Sequence, residues 1–483
     1  MNNHYDVVII GCGVAGLSAA ITAAEEGAQV AVLERSPKDV RGGNTRYTDA
    51  YLRLKNPTDP TDDFIERLSS TSSGLLDPEL RKAADRPYTD WPPLVRAHAF
   101  ADPAIVEAFA SGVPGSMEWL QSFGVQIVKE YPPMPTRAAP RMAPVGGGLA
   151  IVNKLAQGAE SLGVHFSYTT TGRSLKQDAR GSVIGVNAWS PQHGLIDFHG
   201  NAVVLASGGF QGNPELMTRY IGPQAYLIRP VAHGGMYNKG EGIQMALSIG
   251  AAPAGQFDNF HAEPVDPRTS SVDPVIYSFS YGILVNQLGQ RFIDEASGIT
   301  DLIYEDVART IWKQPGGKAY LIFDSKIESL PSFKDSIKSD LAPIRCKSLD
   351  DLAHCLGIPI DPLRETVTLY NASVSEIPFD PTRLDGKTTL EIHPPKSNWA
   401  QHVDGPDYFS YPLICANVFT FGGLKVTPTA RVVNTDGYEI PGLYAAGETI
   451  GFYYRDYPGS TSVLRGLVFG RIAGHDAACY SAS

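Results

Sequence analysis

The residues best suited to chemistry in this sequence are glycine-rich turns that close apolar runs. Gly11-Cys12-Gly13-Val14-Ala15-Gly16 fits the pattern G-x-G-x-x-G. In such a turn the glycines let the chain bend sharply, and the amides that open the following helix approach a pyrophosphate. The turn follows the apolar run that starts at Tyr5 and opens a small-residue helical pattern, and Glu34 closes the next apolar run. A carboxylate there accepts from both hydroxyls of a ribose; Arg35 adjoins it. Ala206-Ser207-Gly208-Gly209 and Ala445-Ala446-Gly447-Glu448 are further turns after apolar runs, placed where backbone must come close to something flat or anionic. Together with the lack of a second G-x-G-x-x-G in mid-chain, they predict FAD rather than NAD.

The elements that position these turns follow from periodicity. YDVVIIGCGVAGLSAAITAAEEGAQVAVLER reads as strand, helix and strand, and a parallel strand pair of this kind implies a doubly wound sheet. Short helices and loops are expected between residues 43 and 101, and a helix over Pro103–Phe123. Gly147 and Gly148 open a further helix that feeds a strand, with Gly172 beyond it. Asn201–Phe210 is a buried strand running into its turn. From about residue 256 to about 404 the periodicity weakens around two helical stretches, Asp301–Lys313 and Asp361–Val374, before the βα texture returns. The expected fold is therefore α/β: a discontinuous Rossmann-like FAD-binding domain (1–255 and 405–483) interrupted by a smaller α+β domain (256–404).

Near the end of the chain, Ser460-Thr461-Ser462 precedes an apolar helix over Val463–Gly474. Free N–H groups at its start, those of Ser462 and Val463, could face an anionic flavin ring. The competing reading is an ordinary serine cap.

Composition excludes several function classes. The 483 residues are 43% hydrophobic and 19% charged, enough for a substantial core. With 40 Lys+Arg against 51 Asp+Glu the net charge is −11, and no stretch is basic enough to follow a phosphate backbone, so nucleic acid is not an expected partner. No run reaches the ~18 apolar residues of a membrane span. The start of the chain lacks the features of a signal peptide, so the expected location is cytoplasmic. The five cysteines are scattered without a C-x-x-C pair, which argues against a disulfide framework or an iron–sulfur site, and no histidine spacing suggests a metal.

The GCGVAG start, GGNTRYT at Gly42–Thr48, GILVNQLGQRFIDE at Gly282–Glu295, GGKAYLIFD at Gly316–Asp324 and IPGLYAAGE through VFGRIAG resemble the fumarate reductase/succinate dehydrogenase flavoprotein family nearly end to end. GGNTRYT, VGGGLAIVNKL and YPGSTSVLRGLVFGRIAG are most similar to its tricarballylate dehydrogenase branch. The resemblance implies an inserted capping domain. It also implies pyrophosphate on Gly11, Gly13 and Gly16, ribose on Glu34, flavin beside Gly43-Asn44-Thr45 and the ring's O2 edge on Ser462-Val463. The covalent branch attaches flavin through a histidine near Gly42–Asp49; none is present there, which implies noncovalent FAD.

Departures bear on the substrate. Val418-Phe419-Thr420-Phe421-Gly422-Gly423 lacks the family's carboxylate-binding histidine, Tyr457 stands where an arginine is expected, and only Lys326 follows Phe323-Asp324 in place of the proton-donating arginine. Tyr457-Pro458-Gly459 is also similar to the segment in ketosteroid dehydrogenases whose tyrosine polarises a ketone. A phenol donating to a carbonyl oxygen stabilises enolate character as the α-proton leaves. Phe419, Phe421, Tyr453 and Tyr454 would make that pocket aromatic. Arg455 could hold a carboxylate or simply pair with Asp456. Tyr277 and Tyr281 lie in the segment from which those enzymes supply a tyrosyl base. Arg291 and Glu295 read as a salt bridge.

The expected activity is an FAD-dependent dehydrogenase acting on a CH–CH bond beside a carboxylate or ketone, with Tyr457, Arg455 and Tyr281 as catalytic candidates. The substrate is either a tricarboxylate, which needs several cations (Arg46, Arg137, Arg141, Arg291 and Arg455 are dispersed candidates), or a cyclic ketone. Alkene reduction, or a purely electron-transferring or regulatory flavoprotein, are the alternatives. The electron acceptor, whether oxygen, a quinone or a redox protein, is not encoded in any motif.

Overall fold

A computed structural model describes residues 3–72, 77–131, 141–330 and 333–483. Arg137 lies outside the described residues. The strand His4–Ile10 ends in four buried apolar residues because it runs through the middle of a parallel sheet, where both faces are covered. Its parallel neighbours are Val30–Leu33, with Val7 beside Val30, and Gly194–Leu205, with Val7 beside Ala202. His165–Ser167 extends the sheet at one edge, and Glu439–Ala445 then Arg431–Val433 at the other. An antiparallel pair, Thr171–Gln177 and Val183–Ser190, hangs from Gly194–Leu205. The helices Val14–Glu25 and Ser462–Ser481 pack directly on one another beside this sheet. A Cβ on Gly470 would fall 2.4 Å from the Ala15 carbonyl oxygen, so only a bare backbone fits there. This is the discontinuous α/β domain expected from both ends of the chain.

The second sheet is antiparallel, in the order Phe260–Val265, Tyr408–Thr420, Lys318–Asp324, Ile283–Asn286, with Ile344–Cys346 and Arg229–Pro230 also paired to Tyr408–Thr420. Apolar clusters cover it, one built around Phe279, Phe323 and Trp399, another around Tyr320, Leu352 and Tyr370. The helices Thr300–Trp312 and Ile360–Ser373 fall within a residue of the expected stretches, and Leu349–Leu356 adds a third. The sheet itself runs past the expected boundary at 404. Its longest strand, Tyr408–Thr420, and the short Arg229–Pro230 come from segments read as FAD domain, because an apolar run alone does not say which sheet it joins. That strand carries Phe419 and Phe421 out of the second sheet into the core of the first, so the two units share a seam. Among the described residues no helix is long and apolar enough to cross a membrane.

Candidate active site

The carboxyl ends of the parallel strands border a cleft that continues beneath the second sheet and encloses about 1930 Å³, its open mouth included. Gly11, Cys12, Gly13, Val14 and Ala15 line one end, with Leu33, Glu34 and Arg35. Gly11 has φ of 107°, and a Cβ on it would lie 2.3 Å from the Ala206 carbonyl oxygen, which explains why this turn must be glycine. Glu34 is buried: one carboxylate oxygen accepts from the Cys12 amide at 2.8 Å and the other from the Ser36 amide at 2.7 Å. Burial raises its pKa. Arg35 is held by Glu241 and donates to the Tyr237 carbonyl at 3.1 Å.

In the middle of the cleft, Gly43, Asn44 and Thr45 sit on the short 3-10 helix Gly43–Tyr47, with Gly172, Ala206, Ser207, Gly208, Gly447 and Glu448 around them. Thr45 Oγ1 accepts from the Val14 amide at 3.2 Å, and Asn44 Nδ2 donates to the Val418 carbonyl at 2.7 Å, tying the second sheet to the first. Glu448 is part of the same seam. Its carboxylate accepts from the Thr420 amide at 3.0 Å and from Asn238 Nδ2 at 3.1 Å, and burial raises its pKa. Gly16, Gly42, Gly147 and Gly148 are not on the cleft wall. Gly148 instead donates its amide to the Thr48 carbonyl at 2.8 Å, so this second glycine turn fastens the 43–48 segment from behind.

The far end is aromatic. Tyr457 lies 4.6 Å from the His261 ring, 5.0 Å from Phe419 and 5.3 Å from Tyr453, measured between ring centroids. Its hydroxyl oxygen accepts from the Thr461 amide at 2.9 Å and the Ser462 amide at 3.0 Å, and its proton points to Ser462 Oγ at 3.1 Å. The helix Ser462–Ser481 has no side-chain cap of its own at Thr461. A phenol therefore takes the place of the expected serine cap, and Val463 and Arg465 follow on the cleft wall. Arg465 is buried, with its guanidinium 4.5 Å from the centre of the Tyr453 ring and Nε without a partner among the described residues.

Two of the expected catalytic residues are elsewhere. Arg455 has φ of 51°, which turns it outward; its side chain is 69% exposed and bonds Asp456 at 2.8 Å. Tyr281 is buried in the core of the second sheet, its hydroxyl donating to the Pro381 carbonyl at 3.2 Å. Tyr277, at the other end of the same short helix, reaches the cleft instead. Lys326 pairs with Asp324 and Asp404, and Arg291 with Glu295, as structural bridges. Arg141 is bonded to Asp301 at 3.1 Å. Among the described residues no group of acids, histidines and cysteines could hold a metal.

Several wall residues were not singled out as catalytic from the sequence: Glu263, Asp273, Tyr304, Lys338 and Arg465, with His261 noted only for its place near the domain junction. Their signal was present but faint. His261 and Glu263 alternate on the wholly buried strand Phe260–Val265, so both point to one side, 4.0 Å apart. Arg465 is a lone cation in an otherwise apolar helix start.

His261 Nε2 is hydrogen-bonded to the Tyr304 hydroxyl at 2.8 Å and lies 3.5 Å from Glu305. Burial, then Arg309, drop its pKa from 6.5 to about 3; burial outweighs Arg309 in lifting Glu305 to about 8. The depressed imidazole gives a signed expectation. The unfolded chain binds a proton at His261 below about pH 6.5 that the folded chain refuses down to about pH 3, so this contribution is complete above 6.5 and is lost as pH falls. In His261→Asn, the drop in denaturant midpoint from pH 7 to pH 5 should be smaller than in the parent; an equal drop would contradict the burial of a neutral ring.

The wall fits a flavin dinucleotide: a cradle at Gly11–Ala15, a buried carboxylate at Glu34, and polar atoms without partners at Asn44 Oδ1, Ser207 Oγ and Arg465 Nε. Known proteins agree. The chain is 28% identical over 485 residues to fumarate reductase (cytochrome) of Shewanella frigidimarina, covering 99% of this chain and 77% of that protein. It is 25% identical over 564 residues to 4-oxocyclohexanecarboxylate 2-dehydrogenase of Sinomonas cyclohexanicum, covering 99% and 95%. The 3-ketosteroid Δ4-(5α)-dehydrogenase of Rhodococcus jostii, solved with 4-androstene-3,17-dione, superposes with a TM-score of 0.66 at 26% identity, over 99% of this chain and 97% of that one. The FAD binding domain family matches residues 6–464. With nearly its whole length so matched, the chain belongs to the FAD binding domain family and is an FAD-dependent oxidoreductase.

Proposed function

We propose that the protein dehydrogenates a cyclic ketone bearing at most one carboxylate, at the carbons next to the carbonyl, with FAD held noncovalently. The observation that carries this reading is the composition of the wall around Tyr457. It is a phenol among aromatic rings, and Arg465 is the one cation lining the cleft, among the described residues, that makes no ion pair. Arg35 and Lys338 are already matched to acids, and His261 stays neutral. A tricarboxylate would bring three charges out of water to a wall with one free counter-charge, and unpaired buried charges are costly. A flat ketone needs an aromatic surface and a hydrogen-bond donor, and the relative that acts on a cyclic keto acid matches the chain over nearly the full length of both.

Bound FAD supplies the acceptance of a hydride from the β-carbon. Tyr457 supplies polarisation. Two backbone amides donate into its oxygen, which makes its O–H a stronger donor to a substrate carbonyl than an isolated phenol. The ring of Phe419, on the cleft wall beside Tyr457, holds the substrate plane and excludes water, and Arg465 is placed to take a single carboxylate. Glu34 serves the cofactor: its two hydrogen bonds to Cys12 and Ser36 fix a carboxylate where the ribose hydroxyls would bind. Glu34→Gln should weaken FAD binding about tenfold or more, from the roughly 1.5–3 kcal/mol that hydrogen bonds to charged groups contribute. Equilibrium dialysis of flavin checks this.

The substrate reading is tested by anaerobic mixing of the FAD-loaded protein with 4-oxocyclohexanecarboxylate and, separately, tricarballylate, while flavin absorbance is followed. Bleaching by the keto acid alone is the expected result. Bleaching by tricarballylate alone would overturn it. The match to fumarate reductase favours a second reading, alkene reduction; reoxidation of the dithionite-reduced protein by fumarate would select it.

A further inference from the structure

Among the described residues Glu263 is the one buried acid of the cleft with a carboxyl oxygen that accepts from no N–H or O–H group. It lies on the strand Phe260–Val265 with 8% of its surface exposed. Oε1 accepts from the Tyr277 hydroxyl at 3.1 Å; Oε2 accepts from no N–H or O–H group of the described residues, and the Glu263 carboxyl, when protonated, hydrogen-bonds the Asp273 side chain. Two carboxyls this close cannot both stay ionised when one is buried, and a buried acid that shares a proton with its neighbour on the wall of a substrate cleft is where a proton can be received or given. The groups that face it are His261, Tyr277, Tyr304, Asp273 and Lys338. None of them competes for the role. His261 at about 3 holds a proton too weakly, and burial keeps the Tyr277 and Tyr304 phenols well above their ordinary range, so neither gives the phenolate a tyrosyl base requires. Lys338 is bound to Asp273 and, at 2.8 Å, to Asp49, whose side chain is half exposed at the cleft mouth. Lys338 thus anchors Asp273 as a carboxylate beside Glu263. Burial first, and then that neighbouring negative charge, hold Glu263 well above the usual carboxylate range.

We propose that Glu263 is the catalytic residue that exchanges the α-proton with the substrate, and that Asp273, anchored by Lys338, is the positioning residue that holds the Glu263 carboxyl. The assignment rests on the ketone reading above. In the step, the Cα–H bond breaks and an O–H bond forms on Glu263; the electron pair moves into the carbon–carbon bond, and the carbonyl oxygen takes the charge against Tyr457. The β-hydrogen then leaves as hydride to FAD, so the substrate loses one proton and one hydride and FAD is the group reduced.

Two readouts test this, the first without substrate. Infrared titration of the FAD-loaded protein should show a protonated-carboxyl C=O band that persists above the usual carboxylate pH range. Burial also lifts Glu305, Glu34 and Glu448, so the band is read as a difference: one component should be lost in Glu263→Gln, and that component should titrate at lower pH in Asp273→Asn, which removes the charge but keeps the shape. An unchanged spectrum in Glu263→Gln overturns the assignment. The second readout is exchange of α-hydrogens of 4-oxocyclohexanecarboxylate in D2O, followed by NMR. Exchange should rise with pH as Glu263 ionises, fall at least about a hundredfold in Glu263→Gln, and shift its pH limb downward in Asp273→Asn. Exchange and flavin bleaching that survive in Glu263→Gln also overturn the assignment. A parent protein that shows the band yet neither exchanges nor bleaches with the ketone overturns the substrate reading instead.

Discussion

Replacing Tyr457 by Phe is expected to slow flavin bleaching by a ketone substrate about a hundredfold to a thousandfold, the usual cost of losing one donor to a developing oxyanion. FAD binding should be unaffected. Two amides donate to the hydroxyl oxygen while its proton is directed to Ser462 Oγ, a partner that a substrate carbonyl can replace. A purely structural role makes a different prediction. If the phenol served only to cap the helix Ser462–Ser481, the variant would lose about 0.5–2 kcal/mol of stability while the bleaching rate stayed the same. Stopped-flow rates and thermal midpoints measured on the same preparation separate the two.

Gly13→Ala should cost the protein its cofactor without costing it its fold. Gly13 has φ of −74°, open to any residue, and an added Cβ would meet only Thr45 Oγ1 at 3.5 Å and the Gly42 carbonyl at 3.6 Å, ordinary contacts. Nothing in the described chain demands glycine here; on the proposed reading the demand would come from a pyrophosphate against the backbone at the helix start. The expected result is a thermal midpoint of the flavin-free protein close to the parent's and FAD affinity lowered by at least about tenfold, the ~1.4 kcal/mol of a displaced contact. Gly11→Ala is the control. Its Cβ would collide with the Ala206 backbone at 2.3 Å, so that variant should fail to fold rather than merely fail to bind.

The cofactor half of the site was largely readable from sequence because its signals are local. A strand, a glycine turn, a helix and an acid closing the next strand occupy about thirty consecutive residues, as βαβ units do, and Gly11–Ala15 and Glu34 line the cleft as expected. The substrate half was not, because it is assembled across sheets. Tyr277 and Tyr281 are four residues apart, but a 3-10 helix repeats every three residues, so one faces the cleft and the other the Trp399 core. Arg455 and Arg465 read as equally plausible cations near Tyr457; a left-handed backbone at Arg455 sends it to solvent, while the first turn of the last helix buries Arg465. Glu263 and His261 acquire meaning only when Phe260–Val265 pairs with Tyr408–Thr420, two segments far apart in the chain. Tyr408–Thr420, beyond the expected boundary at 404, likewise joins the second sheet only through its long-range pairing with Phe260–Val265 and Lys318–Asp324.

The central claim is that main-chain turns grip one FAD without a covalent bond, and the flavin content of the purified protein tests it most directly. Acid precipitation should leave about one equivalent of FAD in the supernatant and a colourless pellet, since no histidine stands in Gly42–Asp49 to attach it. Protein that is isolated colourless and takes up no FAD on incubation, or a pellet that stays yellow, would contradict the account.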